Sequence, residues 1–181
     1  MNEERKKLRI AVCGAAADNV MDDFNQKVQD LGKAIAKSGN ILFTGVTKGY
    51  SYEAVKGAAS EGGEVIGFSP AISKEEHLEE FANVDLELWK YIIYTGLGYK
   101  MREVLLVRNV DAVIIIGGGV GTLLGMATAP DNNVFMGIVE GSGGATRLIY
   151  EIEQLSYREK PKYVIDKDPV VLLDKIIKAL S

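Results

Sequence analysis

The residues of this chain that could do chemistry lie where short apolar runs end in glycine. The longest of these clusters follows the run AVIII and consists of Gly117, Gly118, Gly119, Gly121 and Thr122. Glycine lets a backbone approach an anion closely, and the free amide groups and dipole at the start of the next helix attract negative charge. The Thr122 hydroxyl adds a donor. The pattern predicts a phosphate-binding loop, because a simple strand-to-helix turn needs fewer glycines.

The spacing of these glycines argues against two common nucleotide sites. It does not match the dinucleotide fingerprint GxGxxG, and no Gly-Lys-Ser/Thr follows as it would in a P-loop. NAD and ATP sites of these kinds are therefore disfavoured. No His/Cys cluster with the spacing of metal ligands is present, and no metal site is expected.

Residues after the other apolar runs are further candidate ligand contacts. Gly14 follows the first run, and Ser142 lies in a GSGG segment that could also be an ordinary flexible loop. Arg102 lies in a helix predicted from about Tyr99 to Asn109. An arginine fork suits an oxyanion, although a helix arginine can equally be a solvated surface charge. We expect these residues to line one site.

The segment after the run ILFTG offers another glycine-rich turn. Gly45 shapes this turn, and Thr47 and Lys48 offer donors to a phosphate or a base, although Lys48 could equally be an exposed loop lysine. Glu53 stands in the first turn of the next predicted helix. Its carboxylate is a weak candidate for catalysis, because a glutamate near a helix start usually complements the helix dipole.

The elements that must position these residues follow an alternating pattern. Short apolar runs rich in branched residues alternate with amphipathic segments, which is typical of buried parallel strands and crossover helices. The runs are LRIAVCG, ILFTG, EVIGFSP, DAVIIIGGG, VFMGIVEG and KYVID. We predict a single domain over residues 1–181, an α/β three-layer Rossmann-like open parallel sheet with helices on both faces. Ligands of such sheets bind beyond the carboxyl ends of the strands, where the candidate residues lie.

Three assignments concern less regular parts of the chain. Residues 71–94 contain SKEEHLEEF, which looks helical, and LWKYIIY, which could be strand or helix. The charged surroundings of His77 predict that it faces water. Cys13 ends a predicted buried strand and is interpreted as a small hydrophobe. Asp168 and Pro169 predict the start of the last helix, with an apolar stripe at Val171, Leu172, Ile176 and Leu180.

Composition sets the expected environment and partners. The chain has 181 residues with 21 Lys plus Arg, 25 Asp plus Glu and a net charge of −4. This balance gives no electrostatic footprint for nucleic acid or an anionic membrane, so neither is an expected partner. A single cysteine excludes an internal disulfide, and no apolar run is long enough to cross a bilayer. We expect a cytoplasmic protein.

The glycine motif resembles that of a known family. The nucleotide-binding proteins related to the "Lonely guy" phosphoribohydrolases, often labelled lysine decarboxylase-like, carry the motif PGGxGTxxE, and residues 117–125 match it until the last position. Glycine in place of the proline is similar to the branch that contains molybdenum-cofactor carrier proteins. Arg102 lies 15 positions before Gly117, at the offset of the family's arginine, and the resemblance implies that it reaches a bound nucleotide. The resemblance also implies a dimer or an assembly of dimers.

The departure from the motif bears on function. The resemblance implies that the motif's glutamate helps to cleave an N-glycosidic bond, and Gly125 stands in its place. We predict that the protein binds a nucleotide or a similar phosphorylated ligand without efficient hydrolysis. The alternatives are an active nucleoside 5′-monophosphate phosphoribohydrolase, with Glu53 or a partner subunit supplying the carboxylate, and a molybdenum-cofactor carrier. Lysine decarboxylation is disfavoured because no context for a Schiff-base lysine is visible. A crowding neighbour or the ligand would explain a glycine inside this helix.

Overall fold

A computed structural model describes residues 6–16, 22–81 and 84–181 of the chain. All the strands belong to one sheet, and each forms where a run of branched apolar residues favours extended backbone. The strands are β1 (Arg9–Gly14), β2 (Ile41–Gly45), β3 (Val65–Ser69), β4 (Tyr91–Tyr94), β5 (Ala112–Ile116), β6 (Phe135–Val139) and β7 (Tyr163–Asp166). The helices are α1 (Asp22–Lys37), α2 (Tyr50–Ser60), α3 (Lys74–Glu80), α4 (Gly98–Arg108), α5 (Val120–Thr128), α6 (Ile149–Leu155) and α7 (Pro169–Leu180).

The seven-stranded sheet is parallel throughout, in the order β4-β3-β2-β1-β5-β6-β7. The order reverses at β1, which pairs with β2 on one side and β5 on the other. Gly14, the last residue of β1, is in register with Ile116, the last residue of β5. The helices that follow these two strands, α1 and α5, pack on opposite faces of the sheet, and this leaves a crevice at the carboxyl ends of β1 and β5.

Two apolar cores lie on the two faces of the sheet. One core packs residues of α1, α2 and α7 against β1, β2 and β5, with Leu31, Ile35 and Leu172 completely buried. The other packs α4, α5 and α6 against the opposite faces of β1, β5 and β6, with Leu106 and Met126 completely buried. Side chains of a strand point alternately to the two faces, so the continuous apolar run of β5 serves both cores. The predicted fold is confirmed.

The segment that the sequence left open is a strand at the edge of the sheet. LWKYIIY contains β4, and SKEEHLEEF contains α3. His77 of α3 is only 1% exposed, so the prediction that it faces water is wrong. Its ring Nδ1 lies 2.9 Å from the Ser69 hydroxyl and its ring stacks on Phe81. Burial lowers the pKa of His77, against a smaller opposing effect of Glu80.

The last helix begins as its residues predict. The Asp168 carboxylate accepts hydrogen bonds from the amides of Val170 and Val171, and Pro169 occupies the first turn. The buried face is shifted from the predicted stripe: Leu173 is buried, whereas Val171 and Leu180 are exposed. Among the described residues, no helix has the length and apolar character needed to span a membrane.

Candidate functional site

A small cavity of about 160 Å³ opens at the crevice between β1 and β5. Seven of the predicted site residues line it: Gly14, Gly45, Thr47, Arg102, Gly119, Gly121 and Thr122. The loops after β1, β2 and β5 and the helix α4 each contribute part of the wall. The cavity therefore joins residues that are far apart in the sequence, at the point where a parallel sheet of this order binds its ligands.

The first turn of α5 forms one wall of the cavity. Gly119 precedes the helix, and the first amide groups of an α-helix have no carbonyl partner within the helix. Gly119 and Gly121 are exposed, and a Cβ built on either would meet no atom within 4 Å. Gly118 has a φ of +85°, and a Cβ there would collide with the Thr122 side chain. The loop thus presents backbone donors to an open space that an anion can enter.

Arg102 also lines the cavity and is buried, with 6% of its surface exposed. Its Nη1 donates to Glu103 Oε2 at 2.6 Å. Its Nε is also buried and has no hydrogen-bond partner within the described part of the chain. The guanidinium lies against Gly45 so closely that any side chain there would collide with it. Gly45 is therefore needed to seat the arginine, and the arginine keeps a donor that protein groups leave unused.

Glu103 brings a carboxylate into the cavity that the sequence did not predict. Its side chain is 10% exposed, and its Oε1 lies 3.3 Å from the Cβ position that Gly125 lacks. Helix α4 therefore lies close to α5 at this glycine, and this contact favours a small residue at position 125. Cys13 also lines the cavity. Burial, and secondarily the nearby Glu103 carboxylate, raises the pKa of its thiol well above the ordinary value, so Cys13 is an unreactive neutral group.

The segment after β2 divides between the cavity and the core. Thr47 is buried and lines the cavity together with Ser51, whose hydroxyl donates to Val12 O at 3.1 Å. Lys48 is half-buried and does not belong to the cavity wall. Glu53 points elsewhere: its carboxylate accepts from Gln29 Nε2 at 2.7 Å and pairs with Lys56 Nζ at 2.6 Å. The structure thus removes the geometric basis for Glu53 as a catalytic group, because α2 turns it towards α1.

Ser142 supports the glycine loop from behind. Its hydroxyl accepts from the Gly117 amide at 2.8 Å and donates to Val139 O at 2.7 Å, so its donor and an acceptor site are already occupied. Neither Ser142, Gly117 nor Gly118 belongs to the cavity wall. These residues hold the loop in place and do not line the cavity themselves.

A second, more open cavity of about 580 Å³ lies beyond the ends of β6 and β7. Glu140, Arg147 and Tyr150 line it above an apolar floor that includes Ile138 and Ile165. Among the described residues, no group of three or more His, Cys, Asp and Glu side chains could hold a metal ion.

Five residues that line the first cavity were not among the predicted site residues: Cys13, Ala16, Ser51, Tyr99 and Glu103. Burial and a hydrogen bond to Glu80 raise the pKa of Tyr99 above its ordinary value. The sequence contains one signal for Glu103. It is an acidic residue next to the predicted anion-binding arginine, and the glycine motif has no carboxylate of its own at position 125. That signal has a meaning only once α4 and α5 are known to be in contact.

Comparisons with known proteins place the chain in a family. An uncharacterized protein of Archaeoglobus fulgidus is 32% identical over 124 residues, which cover 68% of this chain and 74% of that protein. The X-ray structure of TM1055 superposes with a TM-score of 0.77 at 24% identity, over 95% of this chain and 99% of that one. The molybdenum cofactor binding protein of Rippkaea orientalis superposes with a TM-score of 0.74 at 26% identity, over 98% and 99% of the two chains.

These likenesses agree with the expected relation to the Lonely guy group and to its molybdenum-cofactor branch. A family model matches residues 7–172, which include every strand and every residue of the cavity wall. The chain belongs to the SLOG cluster4 family.

Proposed function

We propose that this protein binds a small ligand with a phosphate group, such as a nucleotide, at the carboxyl ends of β1 and β5. One observation carries the proposal: a buried arginine, whose Nε has no hydrogen-bond partner among the described residues, lines the same small cavity as the first turn of helix α5. A buried cation and a helix N-terminus both favour an anion, and their effect is strong where water is excluded. A phosphate oxygen supplies the acceptors that both groups lack.

The size of the cavity limits how much of the ligand it encloses. Whole small-molecule sites usually measure about 300–1,000 Å³, and this cavity measures about 160 Å³. It accommodates a phosphate and the group next to it, and the remainder of the ligand lies outside. The residues of this cavity therefore do little to select which nucleotide base is bound.

A binding or carrier role fits the site better than efficient hydrolysis. Position 125 has no side chain, so the last motif position supplies no acid or base. The Rippkaea orientalis neighbour, a molybdenum cofactor binding protein, supports a role in binding. A molybdenum-cofactor carrier is one form of this role. The second candidate is a nucleoside 5′-monophosphate phosphoribohydrolase, and the Glu103 carboxylate inside the cavity is the observation that favours it.

The test combines binding and turnover on the same protein. Calorimetric titration with AMP, GMP, inorganic phosphate and adenosine measures which part of a nucleotide is recognised, and chromatography of the same mixtures measures release of free base. We expect AMP, GMP and phosphate to bind, adenosine not to bind, and no base to appear above a protein-free blank. Absence of binding by every phosphate compound would overturn the proposal. Release of base would move the protein into the hydrolase class.

The remaining expectations on assembly and environment are part of the proposal. Exposed apolar side chains support a homodimer or an assembly of dimers. They include Val120 at the start of α5, Leu155 at the end of α6 and Tyr157 just after α6. Sedimentation of a single 19.7 kDa species would contradict it. A cytoplasmic protein without a nucleic-acid or membrane partner agrees with the net charge of −4.

A further inference from the structure

Glu103 is an acidic side chain in a cavity that otherwise suits an anion. It is 10% exposed, it lines the cavity beside Arg102, and Arg102 engages its Oε2. Its Oε1 lies towards the space above Gly125. A carboxylate is rarely buried unless its oxygens are used, because removing it from water is costly. Arg102 engages one oxygen of the carboxylate, and the Cys13 thiol also hydrogen-bonds to Glu103. A carboxylate has about four acceptor sites, so these two partners leave sites for a ligand.

We propose that Glu103 is a ligand-binding residue that accepts hydrogen bonds from the hydroxyl groups adjacent to the ligand's phosphate, so that the cavity selects ribose phosphates. This inference rests on the proposed phosphate site. A carboxylate oxygen is an acceptor only, and sugar hydroxyls are neutral donors that it can bind without a charge penalty. The ligand class is therefore a phosphate ester of a polyhydroxyl sugar, with AMP as a representative.

Electrostatics decides which end of the ligand meets which wall. A phosphate against Glu103 would bring two negative charges together in a site with little water, and this arrangement is unfavourable. The phosphate is favoured at the first turn of α5, where Gly119 and Gly121 leave the backbone open. The sugar hydroxyls then face Glu103, and Arg102 lies where it can contact the phosphate while it holds the carboxylate in place.

Gly125 of α5 complements Glu103 because it leaves space for the Glu103 side chain. A Cβ at 125 would lie 3.3 Å from Glu103 Oε1 and 3.4 Å from its Cγ, so Glu103 would have to shift slightly to make room for it. Glycine in α5 leaves room for a carboxylate carried by α4. The cavity therefore has one carboxylate near this point, delivered from the neighbouring helix.

The test compares AMP with 2′,3′-dideoxy-AMP, which keeps the phosphate and the base but lacks both ribose hydroxyls. We expect the natural protein to bind AMP about tenfold or more tightly than the dideoxy analogue, since hydrogen bonds to a charged group are strong. Glu103→Gln retains the size of the side chain and an oxygen for Arg102. In this variant we expect the preference to fall below about threefold, with dideoxy-AMP bound as well as before.

The outcomes separate the two proposals. Equal binding of AMP and dideoxy-AMP by the natural protein, or an unchanged preference in Glu103→Gln, overturns the role of Glu103 and leaves the phosphate site standing. Failure of AMP, dideoxy-AMP and inorganic phosphate to bind overturns the proposed function itself. Circular dichroism of each variant shows that it is folded before it is titrated.

A relocated carboxylate gives an independent readout. Glu103→Ala should lose the preference for AMP, and the double variant Glu103→Ala/Gly125→Glu should regain part of it, because the new side chain rises from α5 into the space that Glu103 vacates. The matched control Glu103→Ala/Gly125→Gln has the same shape without the charge and should regain less. A folded double variant with no preference at all would contradict the location assigned to the sugar.

Discussion

Two arginine–carboxylate pairs lie at opposite ends of the same two strands, and they differ in how completely their hydrogen bonds are satisfied. At the amino ends of β1 and β5, Arg9 donates to Asp111 through Nε at 3.1 Å and Nη2 at 3.0 Å, and its backbone amide adds a third bond at 2.8 Å. At the carboxyl ends, Arg102 and Glu103 share one bond of 2.6 Å, and Arg102 Nε finds no partner in the part of the chain that the structure describes.

Their surroundings differ in the opposite sense. The Arg9 side chain is 44% exposed, whereas those of Arg102 and Glu103 are 7% and 10% exposed. Burial alone raises the pKa of Asp111, but the hydrogen bonds from Arg9 outweigh this effect, so that its pKa lies below the ordinary value. The Arg9–Asp111 pair, whose hydrogen bonds are more complete, is partly exposed to water, whereas the Arg102–Glu103 pair is buried. Under the proposed function, the unused Arg102 donor is available to a ligand, whereas the Arg9 pair is structural.

The largest expected effect comes from breaking the buried pair. Arg102→Leu leaves Glu103 buried without a counter-ion, and we expect it to lower the free energy of unfolding by about 3–5 kcal/mol and to abolish AMP binding. Arg102→Leu/Glu103→Leu removes both charges and should recover most of that stability without recovering binding. Denaturant titration and calorimetry measure the two quantities. A double variant that still binds AMP would contradict the binding role of this pair.

The glycine loop provides the second test, with a matched control elsewhere in the fold. Gly118→Ala forces a side chain into the left-handed region and against Thr122, and we expect AMP affinity to fall about tenfold or more with a stability loss of about 1–2 kcal/mol. Gly39→Ala has the same backbone problem, with a φ of +74°, but its Cβ meets open space far from the cavity. The control should lose similar stability and no affinity. Equal affinity of both variants would show that the loop shape is irrelevant to binding.

Breaking the exposed Arg9–Asp111 pair should lower stability less and should leave the affinity for the ligand unchanged. Arg9→Met removes two side-chain hydrogen bonds from Asp111, and we expect a loss of about 1 kcal/mol in unfolding free energy, because the pair is partly solvated. AMP affinity should stay within about twofold of that of the natural protein. Loss of binding in Arg9→Met would erase the distinction drawn between the two ends of the strands.

The smallest expected effect concerns His77, a buried group outside both pairs. Its folded-state pKa lies below the ordinary 6.5, so the unfolded chain binds a proton more readily and stability falls as the pH drops through that value. Between about pH 7.5 and about pH 5.5 the natural protein should lose more unfolding free energy than His77→Gln does. Parallel urea titrations of the two proteins would show it. Identical pH profiles would mean that His77 does not titrate differently on folding.

The fold and the glycine-rich segment that lines the cavity could be predicted because their signals are local. A run such as AVIII reads as a buried strand without knowledge of its neighbours, and Asp168-Pro169 specifies a helix start by itself. Gly119, Gly121 and Thr122 follow from the glycine cluster at the end of such a run, and Arg102 came from the spacing of a resemblance.

The residues that were missed depend on contacts between distant elements. Glu103 belongs to the cavity only because α4 packs beside Gly125 of α5, and no spacing within either helix reveals that contact. Glu53 was chosen for its place after a ligand-side loop, but the turn of α2 directs it to Gln29 and Lys56. His77 lies among charged neighbours in sequence, yet the edge of the sheet buries it against Ser69.

The most direct test of the central claim is an NMR titration of the protein labelled with nitrogen-15 with AMP. We predict that the backbone amides of Gly119, Val120, Gly121 and Thr122 and the side-chain Nε of Arg102 shift together along one saturating curve, because one phosphate contacts them all. The corresponding Nε of Arg9, at the opposite end of the same strands, should not move. Saturable shifts that leave the α5 amides and Arg102 unchanged would contradict the account.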